Sequence, residues 1–471
     1  MNNTDTICAV STPAGVGGVA MIRVSGSDAF ELVDKIWQGK RLTSVQSHTA
    51  HLGYVMDNTD DCDERLDQAV CTVFRTPNSF TGENVVEISV HGSRYVQQRL
   101  LEVLVNNGCR MAEPGEFTRR AFVNGRLDLA QAEAVADVIS STTRASHRIA
   151  MSQMRGAYSH RIDELRDSLL ELCTLLELEL DFSEEDVEFA SRGRLLELAN
   201  NLSAELSKLT ASFSKGNAVK NGVPVSIIGQ TNAGKSTLLN ALVGDERAIV
   251  SDIHGTTRDF IEDTVNIDGV LFRLIDTAGL RDTDDRIEAI GIERSLRCAE
   301  KAMIILWILD CESQNPLDDY SCRAVSEIMK RESECCVLPV LNKTDVASSE
   351  RIQDIRTQLE EFGNGRLHAS VEISAKTGKG VDRLTEQLKS LSGIALVDAE
   401  DILVSNVRHY ESLKQATASI NRTVEALNSG LPGDLIAQDL RETINHLSSI
   451  TGKITTADIL QNIFTRFCIG K

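Results

Sequence analysis

Gly229-Gln230-Thr231-Asn232-Ala233-Gly234-Lys235-Ser236 decides how this chain is read. The octapeptide has the GxxxxGK[ST] spacing of a phosphate-binding loop. It follows the apolar run 225–228 and precedes a helical pattern. Glycines let the backbone wrap phosphates, and a lysine at this position reaches the β- and γ-phosphates. The serine hydroxyl ligates Mg²⁺, and the next helix points its positive end at the anion. Such a motif arises by chance in about 1–2% of chains this long.

Three further motifs follow in order, each at the end of an apolar run. Asp276-Thr277-Ala278-Gly279 ends 271–275, Asn342-Lys343-Thr344-Asp345 ends 337–341, and Ser374-Ala375-Lys376 ends 371–373. An open α/β sheet binds ligands at the carboxyl ends of its strands. Asp276 is placed to hold the Mg²⁺ shell through water, and the Gly279 N–H to sense the γ-phosphate. Asp345 can accept the ring N–H and exocyclic amine of guanine, which adenine lacks, so the site is expected to choose GTP. Asn342 and Lys343 are expected to flank the base, with the Ala375 N–H on its O6. The loop Ser251-Asp252-Ile253-His254-Gly255-Thr256-Thr257 lies between the first two motifs, and Thr257 is the natural second Mg²⁺ hydroxyl of a switch loop. Thr237 follows Ser236 in the first helical turn. Many GTPases place a water-orienting Gln just after Asp-x-x-Gly; here it is Leu280. Asp282, Asp284, Asp285, Glu288 and Glu293 are nearby, and spacing alone does not choose among them.

Outward from these motifs, apolar strand-type runs alternate with helical stretches over 222–393, the signature of a doubly wound sheet. Residues 1–118 read as an α+β domain, with strand-type runs at 6–10, 19–24 and 85–90. Residues 119–221 turn helical, with Ala130, Ala134, Val135 and Val138, then Leu165, Leu169, Leu172 and Leu176 at helical spacing. The helical period returns over 394–471. An α/β module is therefore inserted into a discontinuous helical one, whose two halves are expected to pack together.

The 471 residues predict two to four domains. With 42% hydrophobic and 25% charged residues, disorder, collagen and coiled-coil arrays are excluded as the main architecture. The net charge of −20 argues against holding nucleic acid through a general positive field. The strongest apolar run, 302–309, is far short of a membrane span. Asp5 precedes the first cation, Arg23, which fits neither a secretory nor a transit peptide. Eleven cysteines without any CxxC are read as reduced thiols of a cytoplasmic protein.

Over its whole length the chain resembles the bacterial tRNA-modification GTPase family MnmE (TrmE). The resemblance is carried by Asp5-Thr6-Ile7, Thr12-Pro13, Gly17-Gly18-Val19 and Ile22-Arg23-Val24-Ser25-Gly26. It continues through Pro77-Asn78-Ser79-Phe80-Thr81-Gly82-Glu83, His91-Gly92 and Pro114-Gly115-Glu116-Phe117-Thr118-Arg119. Leu127-Asp128-Leu129-Ala130-Gln131-Ala132-Glu133-Ala134, the GTPase motifs and the terminal Cys468-Ile469-Gly470-Lys471 complete it. The resemblance implies an N-terminal folate-binding, dimerising domain, a helical domain and an inserted GTPase domain. It implies a homodimer working with an FAD-dependent partner, MnmG (GidA), in a heterotetramer-type complex. Together they would add an aminomethyl-type group at C5 of the wobble uridine of certain tRNAs. A tetrahydrofolate one-carbon unit, 5-formyl- or 5,10-methylene-, would be the donor.

By the same resemblance, K⁺ and G-domain dimerisation replace the missing Gln, with Asn232, Ser251, Ile253 and Thr256 as K⁺ ligands and Ser236 and Thr257 on Mg²⁺. The water-orienting acid falls on Glu288. Lys235 and Cys468 are the further catalytic candidates, although most of the cysteines read as packing. Folate positions are Arg23, Glu83, Arg126 and Lys471; Arg126 stands where the family often has Lys. The GTPase motifs are also compatible with a regulatory GTPase switch, and the local basic cluster Arg119, Arg120 and Arg126 with a passive tRNA scaffold. The N-terminal block and the Cys-Ile-Gly-Lys end argue against the first, the net charge against the second.

Overall fold

The computed structural model describes residues 5–58, 64–181, 192–247, 263–275, 302–330, 335–394, 402–465, 467 and 470. They form two compact units: Met1–Ser140, Ala150–Ser203 and Gln415–Lys471 in one, and Ser141–Ile149 and Ala204–Lys414 in the other.

The first unit carries β1 (Ile7–Val10), β2 (Gly17–Ser25), β3 (Trp37–Gln38), β4 (Thr49–Asp57), β5 (Glu64–Phe74), β6 (Val85–Gly92) and β7 (Arg110–Met111), in the order β3-β4-β5-β6-β2-β1-β7. Neighbours are antiparallel except β1 with β7. Strand period 2 puts Ala69, Cys71 and Val73, then Val86, Ile88 and Val90, on one buried face. Phe30, Val33, Leu100, Val103 and Leu104 from two helices cover that face. β4 and β5 were not expected from the sequence. Their opposite face is exposed at Leu52 and Val70, so apolar residues stand on both faces and the alternation is blurred.

In the same unit the helix Ala157–Asp181 packs along the helix Gly433–Thr451. Leu165, Leu169, Leu172 and Leu176 are buried, as are Ile436, Leu440, Leu447 and Ile450. Burying each such side chain stabilises by about 1.5–3 kcal/mol. Lys453 to Asp163 and Arg441 to Glu177, both 2.6 Å, tie the second half of the helical sequence to the first.

The second unit holds β8 (Val223–Gly229), β9 (Asp263–Ile267), β10 (Val270–Leu274), β11 (Ile304–Asp310), β12 (Cys336–Asn342) and β13 (Val371–Glu372), ordered β13-β12-β11-β8-β10-β9. All neighbours are parallel except β9 with β10, an antiparallel edge strand that the sequence reading had not expected. β11 shows why a strand buried on both faces reads as a continuous apolar run: Ile304, Leu306 and Ile308 enter one core, and Ile305, Trp307 and Leu309 the other. The strand order reverses at β8, so its carboxyl end opens into the crevice where such sheets bind ligands. The helix Phe213–Asn221 also belongs to this unit, where Ser212 Oγ accepts the Val404 N–H at 3.1 Å. Among the described residues no helix is long and apolar enough to cross a membrane.

Candidate nucleotide site and a second polar site

Gly229 closes β8 against β11; a Cβ there would lie 2.4 Å from the Ile308 carbonyl oxygen. The chain then turns through Asn232 at φ +66° and Gly234 at φ +93° into the helix Lys235–Arg247. Left-handed backbone is costly for most residues, and asparagine and glycine tolerate it best. Leu238, Leu239 and Leu242 anchor this helix in the core beneath. Lys235 Nζ donates to the carbonyls of Gly229 (2.7 Å) and Gln230 (2.8 Å), so the ammonium lies inside the curl of its own loop. Burial pushes its pKa down, opposed by the Asp318 carboxylate. Ala233 is buried, while Asn232, Ser236 and Thr237 are exposed, and Ser236 and Thr237 stand in the first helical turn. The Ser236 hydroxyl is a hard oxygen donor that suits Mg²⁺, and the Asn232 amide oxygen suits a larger hard cation.

Asn342 ends β12 and is 2% exposed. Its Nδ2 donates to the Ala233 carbonyl at 2.8 Å, and its Oδ1 accepts the Ala375 N–H at 3.0 Å. One neutral amide therefore joins the loops after β8, β12 and β13. Gly234 gives it room: a Cβ there would lie 2.2 Å from Asn342 Nδ2. Thr344 fastens the next turn, its N–H and Oγ1 both donating to the Ile373 carbonyl (3.2 and 2.9 Å). Asp345 is exposed; the Ser374 hydroxyl, helped by the Lys376 charge, holds its pKa below the usual carboxylate range.

Two sequence expectations are refined here. Lys343, at φ +63°, places its ammonium 2.7 Å from Asp310 Oδ2, which raises its pKa. The Ala375 N–H, assigned from sequence to guanine O6, is donated to Asn342. Asp310 and the hydroxyl of Ser374 are partners that motif reading missed. An acid closing the neighbouring strand β11 was the available signal for Asp310. Residues 251–257 and 276–279, with Glu288, Cys468 and Lys471, lie outside the described residues.

In the other unit, Arg23, Glu83 and Arg126 gather around the turn 76–84. Arg23 holds Glu87 Oε1 with Nε and Nη2 (3.0 and 2.8 Å) and lies 5.4 Å from the Phe80 ring centroid. Glu83 accepts the Ser25 hydroxyl at 2.7 Å and Arg120 Nη1 at 3.2 Å to each oxygen. Arg120, its side chain 3% exposed, also binds Asp5 (2.7 Å) and Glu116 (3.1 Å). Arg110 spans the same two acids, each at 2.6 Å. Burial opposes ionisation of Glu116, but Arg110, the Glu113 N–H and Arg120 outweigh it and hold its pKa low; Asp5 is lowered chiefly by Arg110. The turn is stiffened by Thr76 Oγ1 on the Gly82 carbonyl (2.7 Å), Ser79 Oγ on the Glu83 carbonyl (2.6 Å) and Asn124 Nδ2 on the Thr81 carbonyl (2.8 Å).

Arg126 is set by the end of the helix Glu116–Val123. Gly125 at φ +68° donates to Phe122, and Arg126 N–H to Ala121, a Schellman closure. At the C-terminus the Gly470 carbonyl accepts Ser11 Oγ at 3.1 Å, beside β1, whose Ala9 pairs with Arg23. The local basic cluster expected from sequence is corrected. Arg120 is buried in its ion network and Arg119 faces Glu113 and Glu116, which leaves Arg126 as the exposed cation of the three.

A family model described as GTP-binding protein TrmE N-terminus matches residues 6–126, and one described as MnmE helical domain matches residues 129–468. A Parabacteroides distasonis protein named tRNA modification GTPase MnmE is 50% identical, covering 99% of this chain and 100% of its own length. A Bacteroides thetaiotaomicron protein of the same name is 47% identical, covering 100% of both. The solved G domain of the T. maritima FeoB iron transporter is 26% identical over 36% of this chain and 98% of its own, with a TM-score of 0.26.

Proposed function

The chain belongs to the MnmE family of tRNA-modification GTPases, and on that premise we propose that it hydrolyses GTP to drive modification of C5 of the wobble uridine in certain tRNAs. The observation that carries the nucleotide reading is Asn342, which holds the phosphate loop and both base-side loops together where the strand order reverses. Lys235 and the N–H groups at the start of the helix Lys235–Arg247 bind the phosphates. Asp345, kept ionised by Ser374, accepts the two guanine N–H groups. Ser236 and Thr257 would hold Mg²⁺, and Asn232, Ser251, Ile253 and Thr256 would hold K⁺. When bound, the cations neutralise charge developing on the phosphates. Glu288 orients the attacking water, directly or through a second water, in place of the Gln that Leu280 replaces.

The second site binds a reduced folate that supplies the one-carbon unit, using Arg23, Glu83, Arg126 and Lys471. Lys471 enters this site, and Cys468 the chemistry, through the family resemblance. The protein acts in the cytoplasm as a homodimer with the FAD-binding partner MnmG (GidA) and tRNA. The test is GTP turnover at saturating nucleotide in K⁺ and in Na⁺. Glu288→Ala should keep GTP binding and lower turnover by at least about 10²-fold, the low range for a positioned acid or base. A wild-type rate indifferent to K⁺, or near-normal turnover in Glu288→Ala, would show the catalytic apparatus to be misplaced.

A further inference from the structure

We propose that one face of the helix Arg144–Met154 docks on the phosphate backbone of the RNA substrate. The proposal rests on the reading that the chain acts on tRNA, and it assigns that contact to residues which the nucleotide and folate sites leave unused. Residues 138–162 contain four arginines and two histidines but no aspartate or glutamate, within a chain of net charge −20.

The helix is set firmly enough to present these charges in a fixed order. Its start is held by a reciprocal cap: the Ser146 N–H donates to Thr143 Oγ1 at 3.1 Å, and the Thr143 N–H to Ser146 Oγ at 3.2 Å. Ser146, Ala150 and Gln153 are buried, and Ala145 and Ile149 pack against a hydrophobic core. Arg144, His147, Arg148 and Arg155 are exposed on the opposite side. Arg155 follows the last helical residue, and its N–H still closes on the Met151 carbonyl at 3.0 Å, which keeps the helical spacing. At about 100° per residue the three arginines fall within about 40° of one another, and they run about 16 Å along the axis.

Among the described residues Arg144 and Arg155 have no carboxylate partner, whereas Arg161, Arg166, Arg422 and Arg441 of the helical segments are ion-paired. Arg144 opens the helix, where a cation opposes the helix dipole, so helix stability does not explain it. A repeating anion does. Guanidinium groups hold phosphate oxygens in a bidentate fork, and every permanent cation on this face is an arginine. Three of them in one row suit successive phosphates better than a single carboxylate. The acidic remainder of the chain repels RNA, so the contact is confined to this stripe. Phosphate contacts of this kind fix the register of the RNA without reading its sequence.

Fluorescence anisotropy with the full-length protein tests this on two probes: an unmodified tRNA transcript with uridine at the wobble position, and an unrelated RNA hairpin of equal length. Affinity is followed across a potassium chloride series from about 50 to about 200 mM. Arg144→Gln and Arg155→Gln should each weaken both RNAs about 3-fold, and the double variant about 10-fold. Each substitution should also lower the slope of log affinity against log salt by about 1. The double variant Arg144→Lys with Arg155→Lys keeps both charges and should keep the wild-type slope. Binding of the FAD-dependent partner protein, and GTP turnover without RNA, should not change in any variant. A double glutamine variant with wild-type RNA affinity and slope would overturn the surface while leaving the tRNA reading intact. So would loss of partner-protein binding at unchanged RNA affinity, which would give the face to an acidic protein surface. Loss of RNA affinity together with basal turnover would mark a damaged fold and would also overturn it. A wild-type protein that binds neither RNA at the lowest salt would overturn the tRNA reading and the surface with it.

Discussion

The unit built on the six-stranded sheet fixes its site with a neutral amide and main chain. The unit built on the seven-stranded sheet fixes its site with buried charges. Asn342 satisfies Ala233 and Ala375 without a formal charge, and its own burial leaves no ion to desolvate. Arg120 and Glu116 are buried ions whose stability depends on Asp5, Glu83 and Arg110 all being present and ionised. The difference predicts opposite sensitivities. Removing one ion of a buried set strands the others, whereas removing a neutral bridge unpairs only the groups it touched.

The two tryptophans make the contrast measurable, because Trp37 belongs to the first unit and Trp307 to the core of the second. Trp37→Phe and Trp307→Phe variants give one reporter each. Arg120→Leu should produce the largest effect, a loss of about 3–5 kcal/mol in the Trp37 transition, with the Trp307 transition unmoved. Equal losses in both signals would erase the distinction between the units. Asn342→Ala should cost the Trp307 transition less, about 2 kcal/mol for the unpaired Ala233 carbonyl and Ala375 N–H. It should also weaken GTP binding, because the phosphate and base loops are no longer joined.

Acid should act on one unit more than on the other. Asp5 and Glu116 have folded pKa values below their ordinary ones, so the unfolded chain binds more protons. Their contribution is therefore complete above about pH 5 and is lost as pH falls through the ordinary carboxylate range near 4 and on toward the folded values. Asp345 is also lowered, but it is exposed, and solvent screens its contribution. Denaturant midpoints at pH 7 and pH 4 should fall further for Trp37 than for Trp307. A larger fall for Trp307 would reverse the comparison.

The same contrast explains what was legible in the sequence. The phosphate loop could be read because its chemistry is local: Gly229, Asn232 and Gly234 are demanded by backbone shape within six residues. Asn342 and Asp345 were found by motif, yet the bridge from Asn342 to Ala233 spans 109 positions and belongs to the folded sheet. Arg120 was misread as a surface cation, because its partners Asp5 and Glu83 are 115 and 37 positions away and only the fold brings them together. β4 and β5 were missed for a related reason: a strand with apolar residues on both faces has no clear period.

The most direct measurement of the central claim, that the joined loops after β8, β12 and β13 form one guanine-reading site, is a competition titration of GTP, ATP and XTP against the wild type and Asp345→Asn. In the proposed reading the carboxylate accepts the two guanine N–H groups, whereas an asparagine amide would offer N–H to the carbonyl that xanthine carries at C2. Wild type should prefer GTP over both competitors. Asp345→Asn should lose GTP by at least about 10²-fold, from charge-assisted bonds worth about 1.5–3 kcal/mol each, and gain XTP. An Asp345→Asn protein that still prefers GTP as wild type does would contradict the account.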